Sequence, residues 1–157
     1  MFKKTWSILW VILILVPAAT ASAVDLAALD RVSVLMPKAR VVSILGAPSE
    51  IASMGPLKVE LYRVTGASPL VSAGCIYEKE ETLAGIAFIF QGDLAIETAK
   101  RLRENGFTLS GGRGTAVRLS GKDDDTGLPV VVTIDVNNEL MTVIAFEKGF
   151  FERTVRR

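Results

Sequence analysis

Apolar and polar positions change period sharply between Met36 and Val64. Val41, Ile44 and Leu45 recur at helical spacing and share one face, with Lys38, Arg40 and Ser43 towards the other. Pro37 suits a first helical turn, where its missing N–H costs nothing. Gly46 can close the helix in a left-handed conformation, and Pro48 prevents its restarting. From Leu57 the period becomes two: Leu57, Val59 and Leu61 point one way, Lys58, Glu60 and Tyr62 the other. Gly55-Pro56 marks a turn to a weaker strand over residues 50–54. The stretch therefore predicts a short helix, a hard stop and a β-hairpin.

The flanking patterns extend this picture. Leu26, Leu29, Val32 and Leu35 predict a short N-terminal helix that Asp25 can cap. Residues 65–69 form a loop, residues 71–77 a strand, residues 78–82 an exposed turn and residues 83–90 a further strand. That last strand is apolar on both faces, through Ile86, Phe88 and Phe90 on one and Ala87 and Ile89 on the other. Such a strand is central or covered. Residues 93–105 predict a helix with Asp93 as N-cap and a stripe of Ile96, Ala99 and Leu102. Glu97–Arg101 and Lys100–Glu104 supply favourable i,i+4 pairs. Gly111-Gly112-Arg113-Gly114 reads as a flexible bend before a strand over residues 115–120. Strands over residues 129–136 and 140–146 flank Asn137-Asn138, a pair that tolerates the positive φ of a tight hairpin.

At an offset of 57, residues 75–90 lie on residues 132–147, Val42 on Ala99 and Leu45 on Leu102. The expected fold class is α+β, with two helix-plus-antiparallel-sheet units over residues 24–91 and 92–157 inside one domain.

Residues 1–23 have the regions of a secretory signal peptide. Lys3 and Lys4 precede an apolar stretch, Pro17 ends it, and Ala21-Ser22-Ala23 offers a small-x-small cleavage site. The alternative is a retained anchor, but the uninterrupted apolar core, residues 8–16, is shorter than the ~20 residues that span a bilayer. The expectation is a periplasmic or secreted protein beginning at Val24. Removing residues 1–23, which hold two lysines and no acid, takes the net charge from +1 to −1. That balance gives no argument for nucleic-acid binding. Cys75 is the single cysteine, so no intrachain disulfide forms. Val24, not a cysteine, follows the leader, which argues against lipidation. Cys75 itself reads as a small buried hydrophobe beside Ala73 and Tyr77, with a reactive thiol as the alternative.

Met36, Lys38 and Val41 in the helix, Leu45-Gly46-Ala47-Pro48-Ser49 at the stop and Tyr62-Arg63 in the strand carry a family resemblance. The pattern resembles the small outer-membrane assembly lipoproteins of the SmpA/OmlA type, whose fold is shared with β-lactamase inhibitor proteins. In three places the chain departs from that family's pattern. Leu35 stands where the family usually has Gly, Pro37 where it favours Ser or Thr, and Glu60 in place of a frequent aromatic. The resemblance implies a β-lactamase inhibitor protein-like fold and a binding role in the cell envelope.

The residue types restrict catalysis. With no histidine, the commonest general base and metal ligand are missing. No Gly-x-Ser-x-Gly elbow or Ser-x-x-Lys pattern occurs. Asp123-Asp124-Asp125 is a carboxylate cluster, but adjacent side chains do not converge on one ion, so it reads as a solvated loop tip. Residues 111–114 are followed by no Lys-Ser/Thr and no helix, which removes a phosphate-loop reading. The expectation is a protein-binding or scaffolding module without cofactor or catalysis, its partner an envelope protein. The competing reading is an inhibitor or small-ligand binder using the open sheet face.

Two sets of residues are expected to contact the partner. If Leu57, Val59 and Leu61 face the helices, Tyr62 points outward beside Lys58, with Arg63 at the strand end. The alternative is that Tyr62 covers a cross-strand neighbour. In the tail, Phe150, Phe151 and Arg153 can dock on a partner or contact an anionic membrane surface. Alternatively, the aromatics pack on the sheet and the arginines are solvated.

Overall fold

A computed structural model describes residues 23–156, so the expected leader lies outside the described residues but for Ala23. Helix α1 (Leu26–Leu29) is one turn, with Asp25 Oδ1 accepting from the Ala28 N–H at 2.8 Å. It stops well short of Leu35, which sits at φ 67 and is half exposed. Helix α2 (Lys38–Leu45) ends on Gly46 at φ 79. Strands β1 (Glu50–Met54), β2 (Leu57–Arg63), β3 (Leu70–Glu78) and β4 (Thr82–Gln91) then form an antiparallel meander. Helix α3 (Ala95–Glu104) leads into a second meander of β5 (Thr108–Arg113), β6 (Ala116–Lys122), β7 (Pro129–Asn137) and β8 (Leu140–Glu147). Helix α4 (Lys148–Phe150) continues as a π-helical turn, Phe151–Val155.

The two meanders join through their last strands. Antiparallel pairing of β4 with β8 gives one eight-stranded sheet in the order β1-β2-β3-β4-β8-β7-β6-β5. Strand takes 48% of the described residues and helix 22%, so the expected α+β class of two units is corrected to a mainly β fold. Element order is the same in both halves: α2 starts at Lys38 and α3 at Ala95, and each precedes four strands. The reason for the correction is local. The helices are short, and residues 111–113, expected in a bend, lie in β5. All six β5 residues are exposed, so burial imposes no alternation on them.

Both faces of the sheet are covered. Helices α1 and α2 lie over Tyr62, Ala73, Cys75 and Leu83, and α3 lies over Leu119, Val132, Ile134 and Met141. These two clusters share Phe90 and lie on one face. Helix α3 packs through Ala95, Ala99 and Leu102, while Ile96, expected in its stripe, is 88% exposed. On the opposite face Val59, Ile76, Val131, Ile144 and Phe146 pack against Phe150 and Phe151. The tail is thus a structural element. The Glu147 carboxylate starts it by accepting from the Gly149 and Phe150 N–H groups at 2.7 and 2.6 Å.

Small residues in the middle strands let this second face close. Gly74 on β3 pairs with Ala87 on β4, and Gly85 pairs with Phe146 on β8. A Cβ on Gly85 would lie 2.8 Å from Phe146 Cδ1, and one on Gly74 2.7 Å from Val59 Cγ1. The Phe146 ring has little room to yield, because Phe151 and Phe150 stand 5.7 and 6.2 Å from it. Gly85→Ala is therefore expected to destabilise the fold by about 1–3 kcal/mol, the usual range for overpacking a core. Urea titration checks this. A loss below about 0.5 kcal/mol, typical of surface substitutions, would mean that the ring moves freely.

Candidate functional site

The residues expected to form a partner-binding surface do not come together. Tyr62 is fully buried, on the face that α2 covers. Its companions Leu57, Val59 and Leu61 face the C-terminal segment instead. The expected outward orientation of Tyr62 is therefore corrected. The reversal follows from Glu60, which makes the polar side of β2 compatible with burial. Lys38 of α2 donates to Glu60 Oε1 at 2.5 Å and to Glu80 Oε2 at 2.7 Å. Lys38 also lies 4.7 Å from the centre of the Tyr77 ring. A charged pair thus covers the strand positions that alternation assigns to solvent.

The other expected contact residues are dispersed. Lys58 is exposed and pairs with Glu80 at 3.2 Å, and Arg63 is exposed at the strand end. Phe150 and Phe151 are buried, and Arg153 is exposed and pairs with Glu78 at 3.2 Å. Phe150 and Phe151 thus have no exposed ring to offer a partner or a membrane. No helix among the described residues is long and apolar enough to cross a membrane.

The knot beneath α2 has little to offer chemically. Burial pushes the Cys75 thiol up to about 12 and the Tyr62 hydroxyl up to about 12, and it raises Tyr77 further. A thiol so placed stays protonated near neutral pH and is a poor nucleophile. The hydrogen bonds from Lys38 to Glu60 and Glu80 hold its ammonium above the usual lysine range, so it is no base either. Among the described residues no three His, Cys, Asp or Glu side chains are grouped to hold a metal ion.

A different site lies on the opposite face. A groove of about 490 Å³ runs between the β1–β2 hairpin, the outer ends of β7 and β8, and the end of the C-terminal segment. Its apolar lining is Met54, Leu57, Ile144, Phe146 and Val155, and its polar lining includes Thr133, Asp135, Asn137, Thr142 and Thr154. The hairpin is separated from β8 by β3 and β4 in the sheet, so the face must coil to bring Leu57 and Thr142 to one groove. Gly74, Gly85 and Ala87 keep this side of β3 and β4 low between them. Asp135 Oδ1 is held by the Thr115 hydroxyl at 2.8 Å, which fixes its direction.

Thr133, Asp135 and Asn137 were open to detection from sequence. They are every second residue of β7, whereas Val130, Val131 and Val132 are apolar on both faces. The change from continuous to alternating apolarity marks where the cover from Phe150 and Phe151 ends. Phe146 and Ile144 carried no such signal, because β8 is apolar on both faces from Val143 to Phe146.

Fold and groove together define a class: a mainly β chain with one eight-stranded sheet, helices α1 to α3 on one side and an amphipathic groove on the other. No family model, no curated protein and no solved structure matches this chain.

Proposed function

We propose that the chain is an exported binding module of the cell envelope, not an enzyme, and that its groove receives an extended segment of a partner protein. The observation that carries this is the groove's lining: an apolar floor beside a regular row of hydrogen-bonding side chains. The row from Thr133 to Asn137 covers four strand steps, about 13 Å, the length of an extended tetrapeptide. Floor side chains can take alternate apolar residues of such a segment, while the row meets its backbone groups. Asp135 is the one charged group in the lining, which favours a segment rich in donors over an anionic one. The leader-like pattern of residues 1–23 supports export.

The resemblance of residues 36–64 to envelope assembly proteins supports the same reading. Leu35, where that family usually has Gly, adopts the positive φ that glycine takes freely.

The volume, within the ~300–1,000 Å³ of small-molecule sites, favours a second reading as a small-ligand binder. One experiment separates the two. A photo-crosslinking residue at Thr142 is expected to capture a discrete envelope protein, and the same residue at Lys79, outside the groove, is not. Thr133→Trp, which fills the groove from its half-buried rim, should abolish capture without unfolding the chain. Capture equal from both positions would remove the groove as the docking site. Displacement of a bound apolar dye by small envelope lipids, without protein capture, would favour the second reading.

A further inference from the structure

On the same face as the groove, at the far side of the C-terminal segment from it, lies a small cleft of about 110 Å³. It is walled by β5, β6 and the segment itself. Arg118 and Ser120 enter it from β6, Ser110 from β5, and Lys148, Glu152 and Arg156 from the segment. We propose that this cleft is an anion site for a phosphate monoester group. The proposal does not rest on the groove or on its partner.

Charge makes the first argument. Three cations and one carboxylate line the cleft, an excess of about two positive charges, which a phosphate monoester at pH 7 matches with its roughly −1.5 to −2. Among the described residues Arg118, Lys148 and Arg156 form no salt bridge. The ion pairs present use Lys38, Lys58, Lys100, Arg101 and Arg153 instead. Glu147, the nearest acid in sequence to Lys148, has both oxygens occupied in capping α4.

Preorganisation makes the second. The Arg118 guanidinium lies 4.8 Å from the Phe151 ring centre, and one of its terminal nitrogens sits beside Gly111 at the β5 bulge. Its Nε is buried without a protein partner. A guanidinium resting over an aromatic ring keeps its charge and can still offer N–H donors to a ligand. Ser120 Oγ donates to Ser110 Oγ at 2.9 Å, which leaves the Ser110 hydrogen for a further acceptor. The cleft therefore presents a fork and a hydroxyl donor from the strands and two exposed cations from the segment. These match the several acceptor oxygens of a phosphate better than the two of a carboxylate.

Size makes the third. At about 110 Å³ the cleft is well below the ~300–1,000 Å³ usual for small-molecule sites, which suits a compact anionic head better than a nucleotide or a sugar ring.

The phosphate can be free or the head of an anionic lipid, and the test distinguishes the two. Inorganic phosphate is titrated into the full-length protein by calorimetry, with chloride as control, at low and moderate salt. Saturable binding of phosphate is expected, weakened about tenfold or more in the double variant Lys148→Met, Arg156→Met. Both side chains are exposed, so that variant should stay folded. Glu152→Gln removes the one carboxylate and should tighten binding several-fold. Arg118→Met should abolish binding, with its folding checked by circular dichroism. Flotation with phosphatidylcholine vesicles, with and without phosphatidic acid, identifies the source. Capture by phosphatidic acid that free phosphate reverses assigns a lipid head, and phosphate binding without capture assigns a soluble phosphate. No saturable binding of either, equal binding of chloride, or affinity unchanged in both the double variant and Glu152→Gln would overturn the proposal.

Discussion

Phe146→Ala is expected to lower the stability of the fold by about 3–5 kcal/mol, the range for truncating a fully buried aromatic. Phe146 is 1% exposed and stands at the join between the sheet and its C-terminal cover. Its ring touches the column of Gly85 on one side and faces Phe150 and Phe151 on the other. Removing it opens a cavity that no neighbour can fill, since Gly85 has no side chain and the two phenylalanines are held by the segment's own packing. The loss should have a spatial signature as well as a magnitude. Backbone amides of the α4 segment should exchange with solvent faster than those of β3 and β4. Phe146→Leu, which keeps much of the volume, should cost about 1–2 kcal/mol. Guanidinium titration with hydrogen exchange measures both. A cost under about 1 kcal/mol for Phe146→Ala would mean that the segment contributes little to the core.

The second large effect is alkaline. The folded chain holds the Cys75 proton up to about 12, against 9.0 for an ordinary thiol, and the Tyr62 proton up to about 12, against 10.0. Burial is the leading cause in both. Each group binds its proton more tightly when folded than unfolded, so the folded state carries more protons in this window and stability falls as pH rises. Their contribution is fully present below about pH 9 and is lost progressively towards pH 12. At ~1.4 kcal/mol per unit the combined loss is on the order of several kcal/mol, comparable with the whole stability of a small domain. Lys38, held above its ordinary 10.5 by Glu60 and Glu80, acts in the same direction at the upper end. Denaturant midpoints measured from about pH 8 upward should therefore fall steeply. Cys75→Ala should make the fall shallower and delay its onset by about one unit, since the two tyrosines, Tyr62 and Tyr77, with their ordinary value of 10.0, then set it. A flat profile to about pH 11 would mean that both groups open to water without unfolding.

Much of the β architecture was legible where one rule governs. Helix α2 and its Gly46 stop, the β1–β2 hairpin and the central position of β4 follow from periodicity, glycine geometry and apolarity on both faces. What failed did so for physical reasons. Alternation on β2 identifies two faces but not which one the helices cover. Glu60 decided that, through an ion pair with Lys38, 22 residues away in sequence. Strand β5 pairs with β6 alone and buries none of its residues, so its glycines and exposed side chains carry no periodic signal. The C-terminal helical segment is too short for amphipathic repetition to show, yet it decides where the groove and the anion cleft lie. The groove was half legible, in the alternation of β7. Its other wall comes from β1 and β2, which only the coil of the sheet brings near.

The pairing of β4 with β8 has a consequence in time. As the chain emerges N-terminus first, from a ribosome or across a membrane, α2 and β1 to β4 are complete some 50 residues before β8. During that interval β4 carries a long apolar edge with a free row of N–H and C=O groups, the kind of edge that recruits strands from other chains. Among the described residues its native partner, β8, comes last of the strands, ahead of the segment that covers the face opposite the helices. Partly emerged chains of this protein are therefore most exposed to mispairing with one another just before β8 appears, and a binding partner that shields β4 in that window would act as a folding aid.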